Sequence, residues 1–154
     1  PLLVALLARN MAKRTRSQGA ERLADYLPRR APTDLVTGVT VPRSEGFRAL
    51  AYAQVGRTPA DAPIVCAAAR ARVVSGKVEA AALALGGVAE TPIRASDVEA
   101  ALAGGPATAE AIVAALGALD SLQPPADFRG SAEYRREMAK VMGRRALLEA
   151  MALD

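Results

Sequence analysis

The side chains able to do chemistry in this sequence are few, and their types restrict what they could do. There is no His in the 154 residues. That removes the commonest general base and a common metal ligand. The one cysteine, Cys66, lies in an alternating apolar stretch, where a buried structural thiol is expected in place of a reactive one. A single thiol also allows no internal disulfide. No Ser-x-x-Lys occurs, so a serine nucleophile has no lysine base one helical turn away. Gly86-Gly87 is not a phosphate loop, because neither G-x-G-x-x-G nor G-K-[ST] is present. Asp25, Asp34, Asp61, Asp97 and Asp127 are isolated carboxylates, each beside a turn or a cap, and local hydrogen bonding is their expected role. These residues imply an interaction domain, or a piece of a larger enzyme, before they imply an independent catalyst.

The elements that must position them are organised around residues 61–94. From Val65 to Val73 the odd positions are all apolar, and Arg70 and Arg72 lie between them. That period of two predicts a strand with Val65, Ala67, Ala69 and Ala71 on one face and the guanidinium groups on the other. Ser75-Gly76-Lys77 supplies a turn. Beyond it, Val78, Ala80, Ala82 and Ala84 share one face, and Glu79, Ala81, Leu83 and Leu85 the other. The expectation is an antiparallel hairpin whose small-residue face admits a close neighbour. The rival is a pair of Ala-rich helices joined at Gly76, since Ala has the highest helix propensity.

Further elements flank this hairpin. A buried helix is expected over residues 2–8 and a short strand over 11–16. A helical turn over 23–27 ends at Pro28, and an alternating strand over 34–41 ends at Pro42. Ser44-Glu45-Gly46 marks a domain boundary, and a further strand is expected over 47–55. Downstream, Ser96-Asp97-Val98-Glu99 reads as a capping box. Thr108 caps a second helix with Ile112, Val113, Leu116 and Leu119 on one stripe. Ser131 caps the longest helix, to about residue 151, with Tyr134, Met138, Val141, Met142 and Leu148 facing the core. Its Arg135, Arg136, Lys140, Arg144 and Arg145 form a basic face, either solvated or a docking surface for an acidic partner. Strands followed by helices predict an α+β fold, a three-stranded antiparallel sheet packed with a helical layer.

Composition sets the remaining bounds. Hydrophobic residues make up 51% but aromatic ones only 3%, so the core must be built from Ala, Leu and Val. The net charge is +4, yet the basic residues are spread along the chain without interleaved aromatics, so no nucleic-acid face is expected. The apolar run over residues 2–8 is too short to span a bilayer. Its positive charges follow it, the wrong order for a signal peptide, and a cytoplasmic location is expected. Pro1 in place of Met suggests a truncation or a cleavage product.

Several pieces of the sequence carry a family resemblance in matching order. They are Asp61-Ala62-Pro63-Ile64-Val65, Leu85-Gly86-Gly87-Val88-Ala89-Glu90-Thr91-Pro92-Ile93-Arg94, Gly130-Ser131-Ala132-Glu133-Tyr134-Arg135-Arg136 and Arg144-Arg145-Ala146-Leu147. Together they resemble the FAD-binding medium subunit of the molybdenum hydroxylases, the carbon monoxide dehydrogenase and xanthine dehydrogenase family. The resemblance implies that residues 1–43 end an α+β FAD-binding domain and that residues 44–154 form the flavoprotein C-terminal α+β domain. It implies electron transfer through FAD in the parent subunit, with an iron–sulfur subunit and a molybdenum-cofactor subunit as partners. The glycine-rich segments that mainly hold FAD in the family are absent from these residues. The resemblance leaves a rim of the flavin site: Val36 matches a flavin-contacting aliphatic position. A Lys of some relatives corresponds, depending on register, to Ala53 or Gln54. FAD is therefore not expected to be held tightly by this chain alone. The alternative function is a stand-alone structural or interaction domain of the same fold, without flavin.

Overall fold

The structure, a computed structural model, describes residues 26, 31–33, 50–58 and 60–153. The expected helix over 2–8, the strands over 11–16 and 34–41, and Val36 lie outside the described residues. Of the expected helical turn over 23–27, Tyr26 is described and is helical.

Four strands form one antiparallel sheet in the order β1 (Ala51–Val55), β2 (Val65–Val74), β3 (Lys77–Gly86), β4 (Ile93–Arg94). The central hairpin forms as its alternation predicts, and the helical rival is excluded. Ser75 and Gly76 both have positive φ, 50° and 73°. That is the twist of a two-residue turn matched to right-handed strands. The sheet has one strand more than expected. β4 is only two residues long, too short to show alternation, and Pro92 fixes the chain direction just before it.

The pairing of Ala51 with Ala69, Ala53 with Ala67 and Ala69 with Leu83 puts these side chains on one face. A bulge at Arg72/Val73 changes the register, so Val73 opposes Val78 while Arg72 opposes Ala80. One extra residue reverses side-chain parity. Val78 therefore joins the core with Leu83 and Leu85, not the face of Ala80, Ala82 and Ala84 as its sequence position suggested.

The helical layer comprises α1 (Ser96–Leu102), α2 (Ala109–Leu116), a 3-10 turn (Gly117–Ser121) and α3 (Ala132–Met151). Thr108 and Ser131 cap as expected, accepting from the backbone N–H of Ala111 and Tyr134. The box at Ser96 does not form: Ala95 is the cap and makes no side-chain bond. Glu99 instead turns to the sheet, where its Oε1 accepts from Leu83 N at 2.9 Å and from Arg94 Nε at 2.6 Å. Pairing of β4 with β3 ends at Ala84, and the carboxylate satisfies the next donor along β3.

α3 packs along β2 and β1. Its buried apolar stripe is Ala139, Met142, Gly143, Ala146, Leu147, Ala150 and Met151. Of the residues expected to face the core, Met142 does, Met138 and Leu148 are half-buried, and Tyr134 and Val141 are exposed. Size misleads here. The buried stripe mixes the small Ala139, Gly143 and Ala146 with the longer Met142, Leu147 and Met151, so side-chain length does not mark the core face. Val113 of α2 is likewise exposed, and Ala115 takes its place beside Ile112 and Leu116. No described helix is long and apolar enough to cross a membrane.

Candidate functional site

The face of the sheet away from the helices is set by strand parity. Register places Tyr52 opposite Ala68, Gln54 opposite Cys66, Ala68 opposite Ala84, Arg70 opposite Ala82, and Ala84 opposite Arg94. The result is a floor of buried alanines, Ala68, Ala82 and Ala84, edged by Tyr52, Gln54, Cys66, Arg70 and Arg94. Of the two candidates left open by register, Ala53 turns toward the helices and packs on the core, so only Gln54 faces this side. Gln54 is exposed, and its Oε1 accepts from the Tyr52 hydroxyl at 2.8 Å.

The electrostatics of this face argue against nucleophilic chemistry. Burial pushes the Cys66 thiol above its ordinary range, opposed by hydrogen bonds with Tyr52 and the Gly86 backbone. A thiol so shifted stays protonated and is a poor nucleophile. Desolvation and the neighbouring Cys66 push the Tyr52 phenol up to about 12. Burial and the nearby Arg94 charge lower the pKa of Arg70, with Glu99 opposing them. No group of three or more metal-ligating side chains occurs among the described residues.

The floor alanines of this face are 2–3% exposed, and its edge carries Gln54 and Arg94. A diphosphate needs converging N–H donors. The backbone donors of β2 and β3, each paired on both sides, point along the sheet into its ladders, and Arg94 is committed to Glu99.

A second cluster, which the sequence reading missed, lies at one end of the sheet. Arg135, expected in solvent, is 3% exposed. Its NH1 donates to Ile64 O at 2.7 Å and Gly87 O at 2.9 Å, and its NH2 to Asp127 Oδ1 at 2.6 Å. One guanidinium thus ties the loop before β2, the loop after β3 and the loop before α3. Asp127 is also bonded by Arg129 through its backbone N and side chain. The detectable signal was Asp127 followed by Gly130, an Asx-turn pattern, with Arg135 in the first turns of the next helix.

The remaining basic residues of α3 are not equivalent. Arg136 Nε donates to Leu122 O at 2.9 Å. Lys140 pairs with Asp120 and Glu137, whose hydrogen bonds raise its pKa. Arg144 and Arg145 are exposed. The expected basic face is thereby reduced to its C-terminal part.

With this geometry in place, comparison with known proteins is specific. The family described as CO dehydrogenase flavoprotein C-terminal domain matches residues 50–150, the described sheet and helical layer. The chain is 34% identical over 146 residues to the carbon monoxide dehydrogenase medium chain of Afipia carboxidovorans, covering 94% of this chain and 49% of that one. It is 32% identical over 117 residues to the glyceraldehyde dehydrogenase medium chain of Sulfolobus acidocaldarius, covering 75% and 41%. In structure it resembles a carbon monoxide dehydrogenase chain from Hydrogenophaga pseudoflava, with a TM-score of 0.67 and 38% identity, covering 73% and 39%. It spans half or less of the length of these relatives. The chain belongs to the CO dehydrogenase flavoprotein C-terminal domain family.

Proposed function

We propose that this chain is the C-terminal part of an FAD-containing electron-transfer subunit of a molybdenum hydroxylase-type oxidoreductase, acting in a cytoplasmic complex. Residues 44–154 are its C-terminal α+β domain, and residues 1–43 end its FAD-binding domain. The observation that carries this reading is the medium-chain similarity over 146 residues, which extends well upstream of the sheet. In this reading the alanine-floored face shapes the flavin pocket, with Gln54 on its rim, and Val36 contacts the flavin by the family resemblance. The helical side docks an iron–sulfur subunit and a molybdenum-cofactor subunit. The chain's own residues orient and shield; electron transfer is the chemistry FAD supplies when bound.

The test is the visible spectrum of two purified proteins. The chain as given is expected to carry no stoichiometric flavin, because its sequence lacks the glycine-rich segments that would hold the diphosphate. The same chain expressed with its upstream reading frame is expected to be yellow, with FAD near the protein's molar concentration. A colourless extended protein, whose upstream frame lacks glycine-rich flavin segments, would instead favour a stand-alone structural domain of this fold.

A further inference from the structure

Phe128 is 86% exposed, the most exposed of the large hydrophobic side chains among the described residues. It stands at the tip of a tight turn that is unusually well held. Asp127 N donates to Gly130 O at 3.2 Å, and Gly130 N donates to Asp127 O at 3.1 Å. The Asp127 carboxylate accepts from Arg129 N at 2.8 Å and from Arg129 Nε and NH2 at 3.0 and 2.8 Å. Arg135, itself buried, fixes the same carboxylate to two other loops. Gly130 is seated against Tyr134 and Ile64, whose side-chain atoms would lie 3.0 and 3.4 Å from an added Cβ. The Arg129 guanidinium lies 5.7 Å from the Phe128 ring centroid. None of these bonds uses the Phe128 side chain. The fold holds the tip rigid and leaves its aromatic ring in water.

We infer that the Phe128–Arg129 tip is a docking anchor for another protein chain, one whose surface offers an apolar pocket rimmed by a carboxylate. The inference rests on the proposed function, since the partner is a chain that assembles with this subunit. Rigid aromatic and arginine side chains carry a large share of binding energy at interfaces. A tip ordered before the encounter loses little conformational freedom on binding. Charge selects the occupant. One carboxylate, Asp127, faces two guanidinium groups, Arg129 and Arg135, so the tip carries excess positive charge. A second copy of this chain would set arginine against arginine, whereas an acidic rim complements the tip.

The experiment uses the full subunit co-expressed with the chains encoded beside it. A photo-reactive benzophenone amino acid is placed at position 128, and Phe128→Ala is made in parallel. The cross-link is expected in a partner chain, in a segment holding apolar residues and an Asp or Glu. Phe128→Ala is expected to weaken assembly about tenfold or more while the subunit's own melting temperature is unchanged. A cross-link within the subunit, to a second copy or to nothing in an assembled complex overturns the inference, as does assembly of Phe128→Ala at wild-type affinity. If the unmodified subunit assembles with no other chain, the functional proposal itself fails, and this inference with it.

Discussion

At the scale of single residues, two positions hold the loop end of the sheet together. Replacing Arg135 by Ala would leave the carbonyls of Ile64 and Gly87 without their buried donor. The expected loss is on the order of 3 kcal/mol in urea unfolding; an unchanged midpoint would mean water replaces the guanidinium at no cost. Desolvation opposes ionisation of Asp127, but hydrogen bonds from Arg135 and Arg129 outweigh it and hold the carboxyl well below the usual range. A depressed folded pKa stabilises the fold above the unfolded carboxylate range. That stability fades as pH falls below about 4. Urea midpoints of the wild type should therefore drop more steeply below that pH than those of Asp127→Asn, which should already be lower at pH 7. Gly87 is the other position. Its φ is +81°, and an added Cβ would lie 2.1 Å from Ile64 O. Gly76, with φ +73°, has nothing within 4 Å. Gly76→Ala should cost about 1–2 kcal/mol from the left-handed backbone alone, and Gly87→Ala about 3 kcal/mol or more, since backbone must also move. Equal losses would contradict the close approach of the two loops.

At the scale of elements, the contact between β2 and α3 depends on smallness on both sides. Ala67, Ala69 and Ala71 share one buried core with Ala139 and Ala146 of α3, while Gly143 lies against Leu116 and Leu83. Ala69→Leu should overpack this core and cost on the order of 1–3 kcal/mol. A thermal melt identical to wild type would mean the alanine face has room to spare. Glu99 links α1 to the sheet edge. Glu99→Ala removes the acceptor for Leu83 N–H and should cost about 1–3 kcal/mol. Glu99→Gln keeps an acceptor and should recover part of that loss, which separates the hydrogen bond from the charge.

At the scale of the whole molecule, the helical layer presents charges of two kinds. Arg135, Arg136 and Lys140 are engaged within the fold, whereas Arg144 and Arg145 are exposed. Exposed charges at a rim govern association rate more than final affinity. Reversing Arg144 and Arg145 to Glu should leave the melting temperature unchanged and slow assembly with the proposed partner chains, most visibly at low salt. Arg136→Glu should instead lower the melting temperature, because the Leu122 carbonyl loses its donor. If assembly at low salt is as fast with both charges reversed, these two arginines serve the surface alone.

The sequence by itself determined the hairpin, the α+β order, the caps at Thr108 and Ser131 and the small-residue face. These follow from local rules: a period of two, a turn that needs positive φ, and a hydroxyl ahead of a helix. It also brought out the family, through short segments kept in order. Other features had no local signature. Glu99 has a choice between its own helix end and a strand donor sixteen residues back, and only the assembled edge selects the second. The bulge that turns Val78 inward adds one residue to one strand, and nothing in an alternating alanine run marks where. Arg135 looks like any helical arginine until three loops converge on it. That Ala53 turns toward the helices and Gln54 away from them is fixed by pairing between strands, which no single strand contains.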